Sequence, residues 1–369
     1  MSANPSGLGA DTSRRPEPIP LTVLTGFLGA GKTTLLNRLL RDPALADTVV
    51  IVNEFGEIGL DHLLIERVDE DMILLGAGCL CCSVRGDLVA ALEDLLRRRD
   101  NGRITPFRRV VIETTGLADP APILHAVLGH PYLSLRYRLQ SVIAAVDALH
   151  GLASLDAQPE AVRQAAMADR IVVTKTDLAG GMPDALVARL RRLNLGAPIT
   201  GTDVPVAELL GGAFGLDGKI AEVRDWLGEE AVAASGSAQE PGLRDRHDAS
   251  VRAFALTSDT PVRPAALEMF LDLLRSGHAR AILRLKGLVA LSDDPARPLL
   301  VHGVGHTLSA PVRLAEWPDA DHRSRLVLIV RDLDPAFVGT LWDAFLGRPR
   351  VDAPDAEALS DNPLAPPGF

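Results

Sequence analysis

Through the first 227 residues, short aliphatic and β-branched runs alternate with longer stretches whose apolar positions recur every three or four residues. The runs occupy 21–25, 48–53, 109–113, 141–146 and 170–174. A strand with almost no polar alternation is one buried on both faces. Between the runs, 32–41, 85–99 and 161–168 carry the helical period. Strand–helix alternation of this kind predicts an α/β domain with a parallel sheet covered on both sides. The pattern then changes. Residues 228–248 are rich in small and acidic residues and read as an interdomain linker. Beyond them come a strand at 251–257, a helix at 264–276, strands at 281–291, 298–305 and 325–330, and a helix at 335–346. Closely spaced strands with turn chemistry at Asp293-Asp294-Pro295 predict a smaller α+β domain, 249–346, built on an antiparallel sheet. The ends, 1–20 and 347–369, are polar or Pro-rich and read as tails, the first of them disordered.

Composition narrows the function. The 369 residues are 47% hydrophobic and 23% charged, enough to bury a sizeable core. A net charge of −10 argues against nucleic acid as the main partner, and 4% aromatic residues argue against base stacking. No run is long and apolar enough for a membrane span, and the N-terminus lacks the apolar segment of a secretory signal. Three cysteines give no disulfide framework, so the expected setting is cytoplasmic.

The strongest chemical signal is Gly26-Phe-Leu-Gly-Ala-Gly31-Lys32-Thr33, between a strand and a helix. Triphosphate oxygens need several backbone N–H donors at once. Glycines 26, 29 and 31 let the chain form that concave nest, and the helix after them turns its positive end toward the phosphates. The cradle would comprise Gly26, Gly29, Ala30, Gly31, Lys32, Thr33 and Thr34, with Lys32 on the β/γ-phosphates and the Thr33 hydroxyl on Mg²⁺. Of 38 basic residues only four are lysines, at 32, 175, 219 and 286, so a lysine here is a specific choice over arginine. A second lysine falls in Thr174-Lys175-Thr176-Asp177, at a strand end. There Asp177 can accept the paired donors that guanine has and adenine lacks, while the stem of Lys175 lies across the base. Between them, 109–113 ends in Glu113, followed by Thr-Thr-Gly116-Leu-Ala-Asp119-Pro120. In a phosphate-loop NTPase, Glu113 would face Mg²⁺ or its water and the Gly116 amide the γ-phosphate. Asp119-Pro120 also reads as a helix start, N-cap then first helical residue.

All three cysteines lie in Gly78-Cys79-Leu80-Cys81-Cys82, before a helix start at Ser83. Clustered thiols in a reducing compartment point to a soft metal, to redox chemistry or, least specifically, to packing. Three thiolates are one short of a closed tetrahedral zinc site; Glu57 or a histidine is a candidate fourth ligand, or the position stays open. His302 and His306 sit in a strand, where four residues separate side chains by about 13 Å, so they read as structural. His125 and His130 flank a helix end and also read as structural, with His130 the better ligand candidate of the two.

Taken in order, the phosphate loop, Asn53-Glu-Phe-Gly-Glu57, the C-x-C-C motif, Glu113–Pro120 and Thr174–Asp177 resemble the CobW-type metallochaperone GTPases. The resemblance continues through Arg284-Leu-Lys-Gly287, His302-Gly-Val304, Ala315-Glu-Trp-Pro318 and the strand after them, so it spans about residues 21–346. It implies a slow GTPase with GTP and Mg²⁺ as its ligands, a transition metal on Cys79, Cys81 and Cys82, zinc first and cobalt as the alternative, and a client metalloprotein as partner. The segment 53–57 would be a switch-like loop, with Glu57 as an extra ligand. The linker departs from the family in holding only His247 where many members are His-rich. Two other readings remain: a regulatory GTPase whose cysteines sense redox state, and a phosphoryl transferase to a small acceptor, which the guanine element disfavours.

Overall fold

The computed structural model describes residues 17–52, 84–210, 251–305, 307–308 and 311–348. In the first part, six strands form a parallel sheet: β1 (Ile19–Gly26), β2 (Thr48–Val52), β3 (Arg109–Glu113), β4 (Tyr137–Asp147), β5 (Arg170–Thr174) and β6 (Ile199–Gly201), in the order β2-β3-β1-β4-β5-β6. The helices are α1 (Lys32–Leu40), α2 (Val84–Asp100), α3 (Ala121–Gly129), α4 (Leu133–Arg136), α5 (Gly151–Ala157), α6 (Pro159–Met167), α7 (Thr176–Ala179), α8 (Asp184–Leu193) and α9 (Val206–Leu210). One sheet face buries Val23, Ile112, Val142 and Ile171 with Leu92, Leu124, Ala165 and Leu190. The other buries Leu24, Val111, Ile143 and Val172 with Leu35, Leu36 and Leu209. Adjacent residues of each strand thus enter opposite cores, which is why the sequence shows no polar alternation there.

The chain visits β1, then the edge strand β2, returns to β3 beside β1, and next lays β4 on the other flank of β1. The strand order therefore reverses at β1. In an open parallel sheet the crevice beyond the C-terminal strand ends at such a reversal receives ligands, and the glycine loop leaves β1 at that point.

The second part is an antiparallel sheet of β7 (Val251–Ser258), β8 (Ile282–Leu291), β9 (Asp294–Val304), β10 (Thr307–Leu308) and β12 (Ser324–Arg331), ordered β10-β9-β8-β12-β7, with β11 (Val312–Arg313) also pairing β9. Helices α10 (Pro264–His278) and α11 (Pro335–Phe345) pack on one face around Phe270, Leu274, Leu285, Leu328 and Trp342. Phe270 meets the Trp342 ring edge-to-face at 5.0 Å. The opposite face of β8 turns Arg284 and Lys286 toward the parallel-sheet domain.

Expected and observed elements differ in instructive places. The turn lies at Ser292 and Asp293; Asp294 and Pro295 already belong to β9. Its first four residues are exposed or half-buried, include Pro295 and are followed by the buried Pro298, so they resemble a loop. β4 begins four residues before the expected 141 because Tyr137 and Leu139 alternate with half-buried polar neighbours. The three-residue β6, behind Pro198, was too short to leave a pattern. Helix α3 starts after Pro120, not at it. Ile19 and Pro20, read as the end of a disordered tail, already belong to β1, where they pair with β4. The linker, residues 1–16 and 349–369 of the tails, the 53–57 segment and the cysteine motif lie outside the described residues. Among the described residues, no helix is long and apolar enough to cross a membrane.

Candidate functional site

The loop after β1 takes the backbone conformation that its glycines allow. Gly26, Gly29 and Gly31 have φ values of 145°, 73° and 80°, a region side chains rarely enter. At Gly26 a Cβ would also come within 2.4 Å of the Ala145 carbonyl oxygen on β4. Ala30 N–H closes a turn on the Phe27 carbonyl at 3.1 Å, and Thr174 at the end of β5 donates its hydroxyl to the Ala30 carbonyl at 2.8 Å. The loop is thereby tied to β5 and packed against β4, both on one flank of β1. Lys32 and Thr33 open α1, and Thr34 is exposed on its first turn. The Lys32 ammonium donates to the Phe27 carbonyl at 3.2 Å, so it folds back over the loop.

Glu113 ends β3 with its side chain buried, and its Oε1 accepts the Thr33 hydroxyl at 2.8 Å. That joins residues 80 positions apart at the mouth of the loop. The pair fits Mg²⁺: both are hard oxygen donors, and Thr33 can offer a lone pair to the metal while its hydroxyl proton points to Glu113. Just beyond, the turn carrying Gly116 presses on the loop. A Cβ on Gly116 would lie 2.7 Å from the Leu28 amide nitrogen and 2.8 Å from its Cα. Only glycine lets the two backbones approach this closely. Asp119 Oδ1 accepts the Ala121 amide at 2.9 Å, the capping role expected of it, one residue further along.

On the other flank, Lys175 holds a left-handed conformation, φ 57°, between β5 and α7. Its ammonium reaches Asp147 Oδ2 at 2.7 Å, fixing the stem across the crevice edge. Burial alone would raise the Asp147 carboxyl; the hydrogen bond from Lys175 and the amides of Leu149 and His150 outweigh it and hold the group below the usual carboxylate range. Asp177 lies exposed in the first turn of α7, two residues on.

The structure thus brings Gly26, Gly29, Ala30, Gly31, Lys32, Thr33, Glu113, Gly116 and Lys175 to one crevice, with Thr34 and Asp177 exposed beside it. Cys79, Cys81, Cys82 and Glu57 lie outside the described residues, as does His306. His302 stands on β9 as a buried residue. His125 sits within α3, not at its end; its Nε2 is 3.0 Å from the Val304 carbonyl oxygen. His130 follows α3, 3.9 Å from a Glu93 carboxylate oxygen. Two residues of the site carried no motif. Asp147 ends a strand at the crevice, which is a readable signal; Gln164, on α6, whose amide donates to the Gly116 carbonyl at 3.1 Å, gave none.

Two family models match the chain: the CobW/HypB/UreG nucleotide-binding domain over residues 20–200 and the cobalamin synthesis protein cobW C-terminal domain over residues 251–346. The chain is 38% identical over 315 residues to the zinc chaperone YjiA of Escherichia coli, covering 85% of this chain and 94% of that one. It is 31% identical to the zinc chaperone CobW of a Sinorhizobium species, over 87% of this chain and 95% of the relative. A shorter match, 36% identical over 169 residues, is to zinc-regulated GTPase metalloprotein activator 1 of Schizosaccharomyces pombe, covering 44% of this chain and 40% of that one. The crystal structure of Zn(II)-bound YjiA GTPase superimposes with a TM-score of 0.67 at 30% identity, over 89% of this chain and 99% of that one. A triple mutant of that GTPase, with one glutamate and two cysteines changed to alanine, is also Zn(II)-bound.

Proposed function

The chain belongs to the family that joins a CobW/HypB/UreG nucleotide-binding domain to a CobW C-terminal domain, and on that premise we propose that it is a GTP-hydrolysing metallochaperone that carries zinc to a client metalloprotein. The observation that carries the nucleotide half is the Thr33–Glu113 hydrogen bond beside the glycine nest. It supports a site in which the loop amides and Lys32 hold the phosphates, Thr33 and Glu113 hold Mg²⁺, and the Gly116 amide meets the γ-phosphate. Lys175, pinned by Asp147, would lie across guanine, with Asp177 accepting its paired donors. A bound Mg²⁺ would neutralise charge on the phosphate oxygens.

The metal half rests on Cys79, Cys81 and Cys82, which follow the 53–57 segment in the chain, with Glu57 as a further ligand. Thiolates select soft or borderline ions and zinc suits them; the names of the relatives support zinc over cobalt. In this reading GTP favours the closed thiolate site, and hydrolysis releases the ion to the client. Reduced protein is titrated with Zn²⁺ and Co²⁺ in GTPγS and in GDP. Affinity should differ by about tenfold or more between nucleotides, and equal affinity would refute the coupling. Since zinc also binds a relative lacking two cysteines, stoichiometry is not enough. The nucleotide-dependent part of the affinity must vanish on Cys81→Ser with Cys82→Ser.

A further inference from the structure

Helix α6 touches the Gly116 turn at one point and the C-terminal sheet at another. Gln164, 1% exposed, reaches from α6 into the turn, where its Nε2 donates to the carbonyls of Gly116 at 3.1 Å and Ala118 at 3.0 Å. Both contacts are carbonyl oxygens, so the amide's NH₂ must face them. Next to it, Arg163 Nε lies 3.4 Å from Asp119 Oδ2, at the far end of the same turn. Two consecutive side chains of α6 thus hold residues 116–119.

The C-terminus of α6, just beyond these residues, is equally fixed. Asn194, the residue after α8, donates its amide to the carbonyls of Ala165, Ala166 and Ala168, so backbone acceptors at the helix C-terminus are satisfied by its side chain. The Met167 carbonyl accepts from the Arg284 guanidinium on β8. Asp169, fully buried, accepts from Arg284 and from Lys286 at 2.5 Å, and its other oxygen accepts the Val142 amide at 2.8 Å. Two cations at a helix C-terminus also favour its negative pole. A second contact arrives at the same place. The Gly116 turn leads directly into α3, where His125 donates its Nε2 proton to the Val304 carbonyl. Val304 on β9 is the registered partner of Arg284 on β8. Both helices flanking the turn therefore contact one pair of residues in the C-terminal sheet.

We propose that Gln164 is a positioning residue for the turn that meets the γ-phosphate, and that α6, with α3, transmits the state of that turn to the Arg284–Val304 pair of the C-terminal sheet. This rests on the nucleotide reading above. Presenting the Gly116 amide to a γ-phosphate requires the peptide planes of the turn to hold one orientation, and Gln164 grips the carbonyls that orient them. A change there moves the acceptors away from Gln164 or carries α6 with them. Because α6 is tied at its C-terminus to β8, its displacement reaches the second domain.

The test compares GDP with GTPγS. In wild-type protein, amide hydrogen exchange along β8 and β9 should differ between the two nucleotides by about fivefold or more at Arg284–Lys286 and His302–Val304; identical exchange overturns the proposal without any variant being needed. Gln164→Met keeps the volume and removes the donors. It should lower the preference for GTPγS over GDP by about tenfold and abolish the exchange difference, with GDP affinity retained. A purely packing role predicts wild-type behaviour for this variant, and that result would also overturn the proposal. If wild-type protein binds neither nucleotide, the nucleotide reading itself has failed, an outcome distinct from either of these.

Discussion

At Gly116 one hydrogen atom stands where a methyl would meet the Leu28 backbone at 2.7 Å. Backbone cannot yield as the end of a flexible side chain can, so Gly116→Ala must push the phosphate loop and its own turn apart. Overpacking of this kind costs about 1–3 kcal/mol, felt where the γ-phosphate would sit. We expect GTPγS affinity to fall by about tenfold with a smaller loss for GDP; calorimetric titration decides, and equal losses would show that the turn does not serve the γ-phosphate. Asp177→Asn should move preference from guanosine toward xanthosine triphosphate, and retained guanine preference in competition binding would remove its assigned role. The legibility of these residues has a physical basis. A phosphate nest must be built from consecutive backbone amides, so its residues lie together in sequence and form a motif. Asp147 and Gln164 act across 28 and 48 positions, through side chains ordinary in a strand end and a helix, and such contacts exist only once the chain has folded.

Elements were legible where burial is two-sided. The runs at β1, β2, β3 and β5 are apolar on successive residues because each enters two cores, and their bounds came out within two residues. β9 was not, because its first four residues are exposed or half-buried. In that strand His302 faces Lys286 in register, with Arg284 close by; Asp169 pairs with the two cations. Burial, reinforced by the two cations, drives its imidazole well below the ordinary histidine value, so it is neutral in the folded protein. The unfolded chain takes up a proton near pH 6.5 and the folded chain does not. Stability should therefore be full above that pH and decline as the pH falls below it, by up to about 1.4 kcal/mol per pH unit. Urea midpoints at pH 7.5 and 5.5, compared between wild type and His302→Gln, measure this: the variant should lose that part of the slope. On the other side of the same sheet, Phe270→Ala should cost about 3–5 kcal/mol, since the ring is fully buried against Trp342 and Phe345. Nucleotide binding, on a different core, should survive in the folded fraction.

For the whole molecule the decisive residue is Asp169, whose carboxylate lies between the two domains and holds cations from the second. Burial opposes its charge, but Arg284 and Lys286 overcome that and hold the carboxyl below the ordinary carboxylate value. Its contribution is accordingly complete above about pH 4, the unfolded value, and disappears as the pH falls through the depressed folded one; it is separate in pH from the His302 effect. A buried ion pair is poor evidence for net stability, because desolvation consumes much of the attraction, yet removing one partner commonly costs 3–5 kcal/mol, as an order of magnitude. Asp169→Asn keeps the shape and the acceptor for Val142 but removes the charge that two buried cations face. If this cluster fastens the domains together, denaturation of Asp169→Asn should separate into two transitions, the earlier one reported by Trp342 in the C-terminal core. Replacing Arg284 and Lys286 by methionine in the same background removes the buried cations and should recover much of the loss. It should not recover the response of β8 to GTPγS, because stability depends on the balance of buried charge whereas the response needs Arg284 bonded to the Met167 carbonyl. Recovery of both together would mean that ordinary apolar contact, without the ion cluster, couples the two domains.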